Sequence, residues 1–111
     1  METNLHISIA EEFSPYPAGR DDQDGDFNGE RFRKMLLLPK LNEALAKKVK
    51  LVVSLEGMQS FGSSFLEEAF GGLIRKEGVA KKDLKKVLEI DAGWVGNNRY
   101  RDAINRYIER A

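Results

Sequence analysis

An almost unbroken apolar run at residues 50–57, KLVVSLEG, constrains the fold of this chain more than any other feature. Leu51, Val52, Val53 and Leu55 follow one another with little polar interruption, which is typical of a strand covered on both faces. Such strands belong to sheets flanked by helices, and the segments on either side of the run have helical spacing. The run therefore predicts the central strand of an α/β domain.

Two other segments have strand character. Residues 5–10, LHISIA, alternate apolar and polar side chains, which predicts an outer or edge strand. Residues 81–92, KKDLKKVLEIDA, predict a short polar helix that runs into a third strand at about residues 87–90. The chain has 111 residues, the length of one domain, so we expect a single α/β domain over residues 1–111.

Apolar residues at helical spacing predict three longer helices. Asn28 is a suitable N-cap for the first helix, which Pro39 is expected to kink or divide, and this helix has its apolar positions at Phe32, Met35, Leu36, Leu41 and Leu45. The second continues until Gly78, with its apolar stripe at Phe65, Leu66, Ala69, Phe70, Leu73 and Ile74. The last begins near Gly96 and is amphipathic, with Tyr100 and Tyr107 on its apolar side.

Composition narrows the classes of function. Eighteen basic and eighteen acidic residues cancel, so no overall field attracts nucleic acid or an anionic membrane, and neither partner is expected. The chain has no cysteine, which excludes disulfides and thiolate chemistry. No signal peptide or membrane span is evident, so a cytoplasmic location follows. No catalytic constellation is found, and we expect neither enzymatic activity nor a cofactor.

A pair of serines opens the second predicted helix, in SFGSSFLEEAFGGL. Ser64 and Glu67 have the spacing of a capping box, in which each side chain accepts a backbone amide of the first turn. Ser63 then lies just outside the helix, where its hydroxyl faces solvent near the positive end of the helix dipole. Glu67 and Glu68 in the first turn would repel a phosphate placed there.

Two motifs carry a family resemblance. The first is Gly19-Arg20, Asp24-Gly25 and residues 28–33, NGERFR; the second is residues 63–75, SSFLEEAFGGLIR. Together they resemble a family of uncharacterised STAS-like proteins, related to the STAS fold of the anti-anti-sigma factors. The resemblance covers roughly residues 13–90 and implies a sheet of about four strands with helices packed on it.

The resemblance also implies a function. In anti-anti-sigma factors, the first serine of a similar pair is phosphorylated by an ATP-dependent kinase that is also the binding partner. On this chain Ser63 becomes the candidate phosphoacceptor, and Gly62, Phe65 and Glu68 the candidate partner-binding residues. The anti-anti-sigma factors carry aspartate where this chain has Gly62 and glycine where it has Phe65. The implied partner is a histidine-kinase-like ATPase or an anti-sigma-like protein, and the implied role is a non-enzymatic regulatory module.

The loop of residues 19–26 offers an alternative function. Gly19 and Gly25 allow backbone conformations that other residues avoid, and Arg20 can pair with Asp24 or with a bound anion. The loop is either an ordered turn held by an Arg–Asp pair or a small-molecule or nucleotide site. Calcium is not expected, because the EF-hand spacing would place arginines where acids are required.

Two features stay open. Gly71-Gly72 inside a helix costs about 1 kcal/mol per glycine relative to alanine, which favours close packing against a neighbouring element. Trp94 is either a core residue at the start of the last helix, the interpretation we favour, or an exposed docking aromatic.

Overall fold

The computed structural model describes residues 3–111, which contain a parallel sheet of three strands. Strands β1 (Leu5–Ser8), β2 (Leu51–Ser54) and β3 (Leu88–Asp91) lie in that order, with Leu5, Leu51 and Leu88 in register. The predictions of β2 as the central strand and β1 as an edge strand are confirmed. The count of about four strands is not confirmed; residues 11–28, with two prolines and two glycines, contribute loops and short helical turns.

Leu51, Val52 and Val53 of β2 are all buried, so the prediction of a strand covered on both faces is confirmed. One face of the sheet carries Ile7, Val53 and Ile90, which belong to the hydrophobic core. Val52 points to the other face, where its neighbours in register, His6 and Glu89, are exposed. Val52 is itself buried, although it lies outside the main core cluster. The apolar run therefore marks a central strand that is buried on both faces, beside exposed neighbours on the second face.

Within residues 3–111, five helices accompany the strands. Helix α1 is short, and α2 and α3 are long helices that each contain one π-helical turn; α4 and α5 follow. Their bounds are α1, Ile9–Glu12; α2, residues 29–47, with Gly29–Phe32, the π-helical turn Arg33–Leu37 and Leu38–Lys47; α3, residues 63–75, with Ser63–Leu66, the π-helical turn Glu67–Gly71 and Gly72–Arg75; α4, Lys81–Val87; and α5, Asn98–Arg110. Single 3-10 turns occupy Asp22–Asp24 and Val95–Asn97.

Helix α2 begins as predicted and departs from the prediction at its π-helical turn. The Asn28 side chain accepts the Arg31 amide, which confirms the cap. The Leu38 amide donates to the Arg33 carbonyl five residues back, and the helix continues through Pro39 instead of dividing there. The wider turn shifts the helical phase, so Met35, expected on the apolar side, is 66% exposed.

The core lies between the sheet and helices α2, α3 and α5. The apolar stripe predicted for α3 is confirmed; Phe65 and Phe70 are fully buried and pack against Phe32 of α2. From α5, Ile104 and Ile108 enter the same core, with the two tyrosines of that helix partly buried beside them.

Candidate functional site

The π-helical turns of α2 and α3 contact each other, and a buried arginine joins them. Arg33 is 0% exposed. Its Nη1 donates to the Glu68 carboxylate at 2.8 Å and to the Glu68 carbonyl at 2.6 Å, and its Nε donates to Glu77 at 2.9 Å. A fully buried arginine requires acceptors such as these, because an unpaired buried charge is costly.

Glycines make room for this junction. A Cβ on Gly72 would overlap the Arg33 guanidinium, and a Cβ on Gly29 would lie 2.7 Å from the Phe65 carbonyl oxygen. The prediction that Gly71-Gly72 serves close packing is therefore confirmed at Gly72. The cost of a glycine within a helix is offset here by the ion pair it admits.

Further charges surround the junction and form what we call the charge cluster: Arg20, Arg33, Glu67, Glu68, Arg75, Lys76 and Glu77. Lys76 donates to Glu68 at 2.7 Å, while Glu67 accepts from Arg20 at 2.6 Å and from Arg75. Burial alone would raise the pKa of Glu68, but the hydrogen bonds from Lys76 and Arg33 outweigh it and bring that pKa to about 2.

The predicted capping box is wrong. Helix α3 begins two residues earlier than expected, with Gly62 instead of Ser64 as its N-cap, and within residues 3–111 no side chain caps its first turn. Ser64 is therefore already inside the helix. The Glu67 side chain pairs with Arg20 and Arg75 instead of reaching back to the first turn, because two guanidinium groups offer stronger hydrogen bonds than a backbone amide.

Two of the predicted partner-binding residues are also wrong, because they are buried. Phe65 is a core residue and stacks near Phe13 and Phe32. Glu68 is 3% exposed and is held within the charge cluster. Gly62 is partly exposed and Ser63 is exposed, as expected of the candidate phosphoacceptor.

A groove runs beside Ser63, between the start of α3 and helix α5. Its volume is about 310 Å³, and we call it the Ser63 groove; its lining residues are Phe61, Ser63, Leu66, Arg99, Tyr100, Ala103, Arg106 and Tyr107. The Phe61 and Tyr100 rings are 4.6 Å apart, and the Arg99 guanidinium carbon lies 4.7 Å from the Tyr100 ring centroid. Apart from Ser63, the lining residues are apolar, aromatic or basic, and none of them carries a carboxylate.

Trp94 extends the aromatic surface next to the groove. It is 64% exposed, so the favoured core interpretation is wrong, and its indole lies over Gly96, where a Cβ would overlap the ring. Trp94, Phe61 and Tyr100 line a second, smaller depression. The loops that carry Trp94 and Phe61 follow β3 and β2, so both lie at the carboxyl edge of the sheet, where open α/β sheets usually bind ligands.

The loop of residues 19–26 is an ordered turn. The Asp24 carboxylate accepts the Arg20 amide at 2.9 Å, and Gly19 has φ +86°, which glycine tolerates. Asp22 accepts from Arg31 at 2.7 Å. The Arg20 side chain reaches Glu67, and the backbone of residues 18–19 lies against Gly62. The structure thus brings the loop beside the serine pair, which the sequence left open.

Sequence reasoning missed Arg33 and the contribution of α5 to the groove. A signal for Arg33 was present, since a helical Gly-Gly pair requires something large to pack against it. For Arg99 and Arg106 the only signal in the sequence is that arginines alternate with Tyr100 and Tyr107 along the last helix. Tyr100 and Tyr107, predicted to pack, are indeed partly buried against the core.

Fold and site together define a small α/β domain with a charge cluster built around the buried Arg33–Glu68 pair and an aromatic surface at which Trp94 is exposed. A family model described as a STAS-like domain of unknown function (DUF4325) matches residues 28–91, more than half of the chain. The chain belongs to this STAS-like family. Comparison with the curated proteins and with the solved structures found no match. None of the helices within residues 3–111 has the length and apolar character needed to cross a membrane.

Proposed function

We propose that this STAS-like domain is a non-enzymatic regulatory module that docks a protein partner through the surface around Ser63. The observation that carries the proposal is an aromatic surface beside an exposed Ser63, formed by the exposed Trp94 and the partly buried Phe61 and Tyr100. Aromatic side chains dominate protein interfaces because they bury a large area at small entropic cost. This docking surface includes two residues that the sequence analysis proposed: Gly62 for partner binding and Ser63 as the phosphoacceptor.

The second part of the proposal is that phosphorylation of Ser63 switches docking. The Ser63 hydroxyl oxygen attacks the γ-phosphorus of ATP held by a kinase; the bond from that phosphorus to the bridging oxygen breaks, ADP leaves, and the hydroxyl proton passes to a base on the kinase. The partner we propose is a histidine-kinase-like ATPase or an anti-sigma-like protein, met in the cytoplasm.

The charge cluster removes an objection to this switch. Glu67 and Glu68, expected to repel a phosphate, are each paired with two or more cations. Glu67 directs its carboxylate to Arg20 and Arg75. Their charges are largely compensated before any phosphate arrives, so the repulsion at Ser63 is smaller than the sequence suggests.

Docking is tested by direct titration with an ATPase of this class, identified from its gene neighbourhood or by capture from the native lysate. We expect Trp94→Ala to weaken binding at least tenfold. Met35→Ala, an exposed apolar residue on α2, serves as the matched control and should bind like wild type. Equal affinities for wild type and Trp94→Ala would contradict the docking surface.

Modification is tested separately with the same ATPase and ATP. Intact-mass measurement should show one added phosphoryl group on wild type and on Ser64→Ala, and none on Ser63→Ala. A phosphoryl group that persists in Ser63→Ala would place the modification elsewhere.

The alternative function, a small-molecule or nucleotide site at residues 19–26, has weaker support. Asp22 and Asp24 already accept hydrogen bonds from within the chain, and Arg20 is paired with Glu67. A ligand would have to displace these contacts. A thermal-shift assay with ATP, GTP and Mg²⁺ discriminates, because a ligand bound to the native state raises the unfolding temperature.

A further inference from the structure

We propose that Arg99 and Arg106 of α5 bind the phosphoryl group when Ser63 carries one, so that the phosphoryl group of the modified chain occupies the Ser63 groove. This inference rests on the proposed modification of Ser63 and adds the residues that would recognise it. It makes the phosphate an internal ligand that ties the start of α3 to α5.

The placement of the three residues carries the inference. Ser63, Arg99 and Arg106 line the same groove. The two arginines are seven positions apart on one helix, about 10 Å along its axis. They therefore border the groove at two levels of α5. A phosphoryl group on the Ser63 oxygen would extend from the α3 wall toward α5, within reach of these long side chains.

The arginines of the groove differ from most of the other arginines in their partners, and among the described residues they share the lack of a carboxylate partner with Arg110. Arg20, Arg31, Arg33 and Arg75 are each within ion-pair distance of a carboxylate. Within residues 3–111, neither Arg99 nor Arg106 lies within ion-pair distance of a carboxylate. Arg99 instead donates a hydrogen bond to the Tyr100 hydroxyl at 2.8 Å.

Arg99 also lies in the first turn of α5, a turn without an acidic residue, where a cation opposes the helix dipole. A positive groove with this arrangement gains from an anion. A phosphate suits it chemically, because guanidinium groups bind phosphate oxygens with paired hydrogen bonds.

Nucleic acid fits the same surface less well. Stacking of bases requires open aromatic faces. The Tyr100 ring already has Phe61 and the Arg99 guanidinium close to it, and Tyr107 is partly buried in the core.

The test uses the full chain with phosphoserine installed at position 63 during translation, followed by ³¹P NMR over a pH titration. An exposed phosphoserine has its second pKa near 6. We expect a value lower by at least about half a unit in the folded chain, because nearby guanidinium groups stabilise the dianion. Arg99→Gln/Arg106→Gln should return the value to that of the urea-unfolded chain.

The matched control is Arg101→Gln/Arg110→Gln, which removes the same charge from α5 outside the groove. It should retain most of the shift. Because Arg99 also contacts Tyr100, Arg106→Gln alone is the second variant; it leaves that contact intact and should remove part of the shift.

A phosphoserine pKa that is equal in the folded wild type, the groove variants and the unfolded chain would overturn the inference. So would an equal loss of the shift in the control. Failure of the proposed kinase step is a separate result, because the phosphoserine here is installed without a kinase.

Discussion

Replacing Arg33 with methionine tests whether the charge cluster holds helices α2 and α3 together. Methionine keeps a flexible apolar chain of similar length but removes all three of the donated hydrogen bonds, two to Glu68 and one to Glu77. The Glu68 carboxylate then stays buried with fewer partners. We expect a large loss in the free energy of unfolding.

The magnitude follows from what Glu68 retains. Removing one partner of a buried ion pair typically costs about 3–5 kcal/mol. Lys76 still donates to Glu68 at 2.7 Å, which places the loss at the lower end. The Glu68 pKa gives a value of similar size: a net fall from 4.5 to about 2 corresponds to about 3 kcal/mol by which the partners of Glu68 outweigh its burial. Arg33→Met also loses the hydrogen bond to the Glu68 carbonyl, which adds to the cost. We therefore expect the free energy of unfolding to fall by about 3 kcal/mol.

The assay is urea unfolding at neutral pH, followed by circular dichroism. Arg31→Met is the matched control: Arg31 lies in the same motif but pairs with Asp22 at the surface, where an ion pair contributes little to stability. Arg33→Met/Glu68→Met should recover at least about 1 kcal/mol relative to Arg33→Met alone, because no buried carboxylate remains. A loss no greater than that of Arg31→Met, or additive losses in the double variant, would refute the reasoning.

Three further predictions concern stability, each measured by urea unfolding. Because the Glu68 pKa is lowered in the folded state, the ionised side chain adds its full stabilisation above about pH 5, and this stabilisation is lost as pH falls toward 2. Glu68→Gln should therefore flatten the dependence of the unfolding free energy on pH. Gly72→Ala should cost about 1–3 kcal/mol by overpacking, yet stabilise the Arg33→Met background by up to about 1 kcal/mol; an equal cost in both backgrounds would show that Arg33 is not the obstacle. Phe65→Ala should cost about 3–5 kcal/mol and Phe61→Ala much less, and similar losses would contradict the division between core and docking surface.

The elements that sequence periodicity predicted correctly are those whose signal is local. The stripe of α3 and the alternation of β1 repeat within a few residues, so neighbouring side chains report the same face. The π-helical turns have no such signal. An extra residue per turn moves Met35 out of the apolar face, and the partners that explain the turn, Arg33 and Glu68, are far apart in the chain.

The serine pair shows the limit of a motif taken alone. Ser64 and Glu67 satisfy the spacing of a capping box, but spacing does not include the arginines that compete for Glu67. One of them, Arg20, comes from a loop distant in sequence. Trp94 was misjudged for a related reason, since Gly96 lets its ring lie flat on the surface instead of entering the core.

The segment matched by the family model contains the helix junction but not most of the residues proposed for docking. Residues 28–91 contain both π-helical turns, Arg33 with its partner Glu68, and the exposed Ser63. The NGERFR motif and the Gly-Gly pair are accounted for by the helix junction they build. They therefore describe a scaffold and do not by themselves describe a docking surface.

Trp94 and α5, which supply most of the docking surface and both arginines of the groove, lie beyond the matched segment. The scaffold can thus hold a serine in a fixed, exposed place while a separate segment determines what that serine or its phosphate meets. Exchanging residues 92–111 for the corresponding segment of another member of the family should therefore change the choice of partner and leave the Arg33–Glu68 junction intact. If the exchanged chain kept its original partner, the determinants of docking would have to lie within residues 28–91.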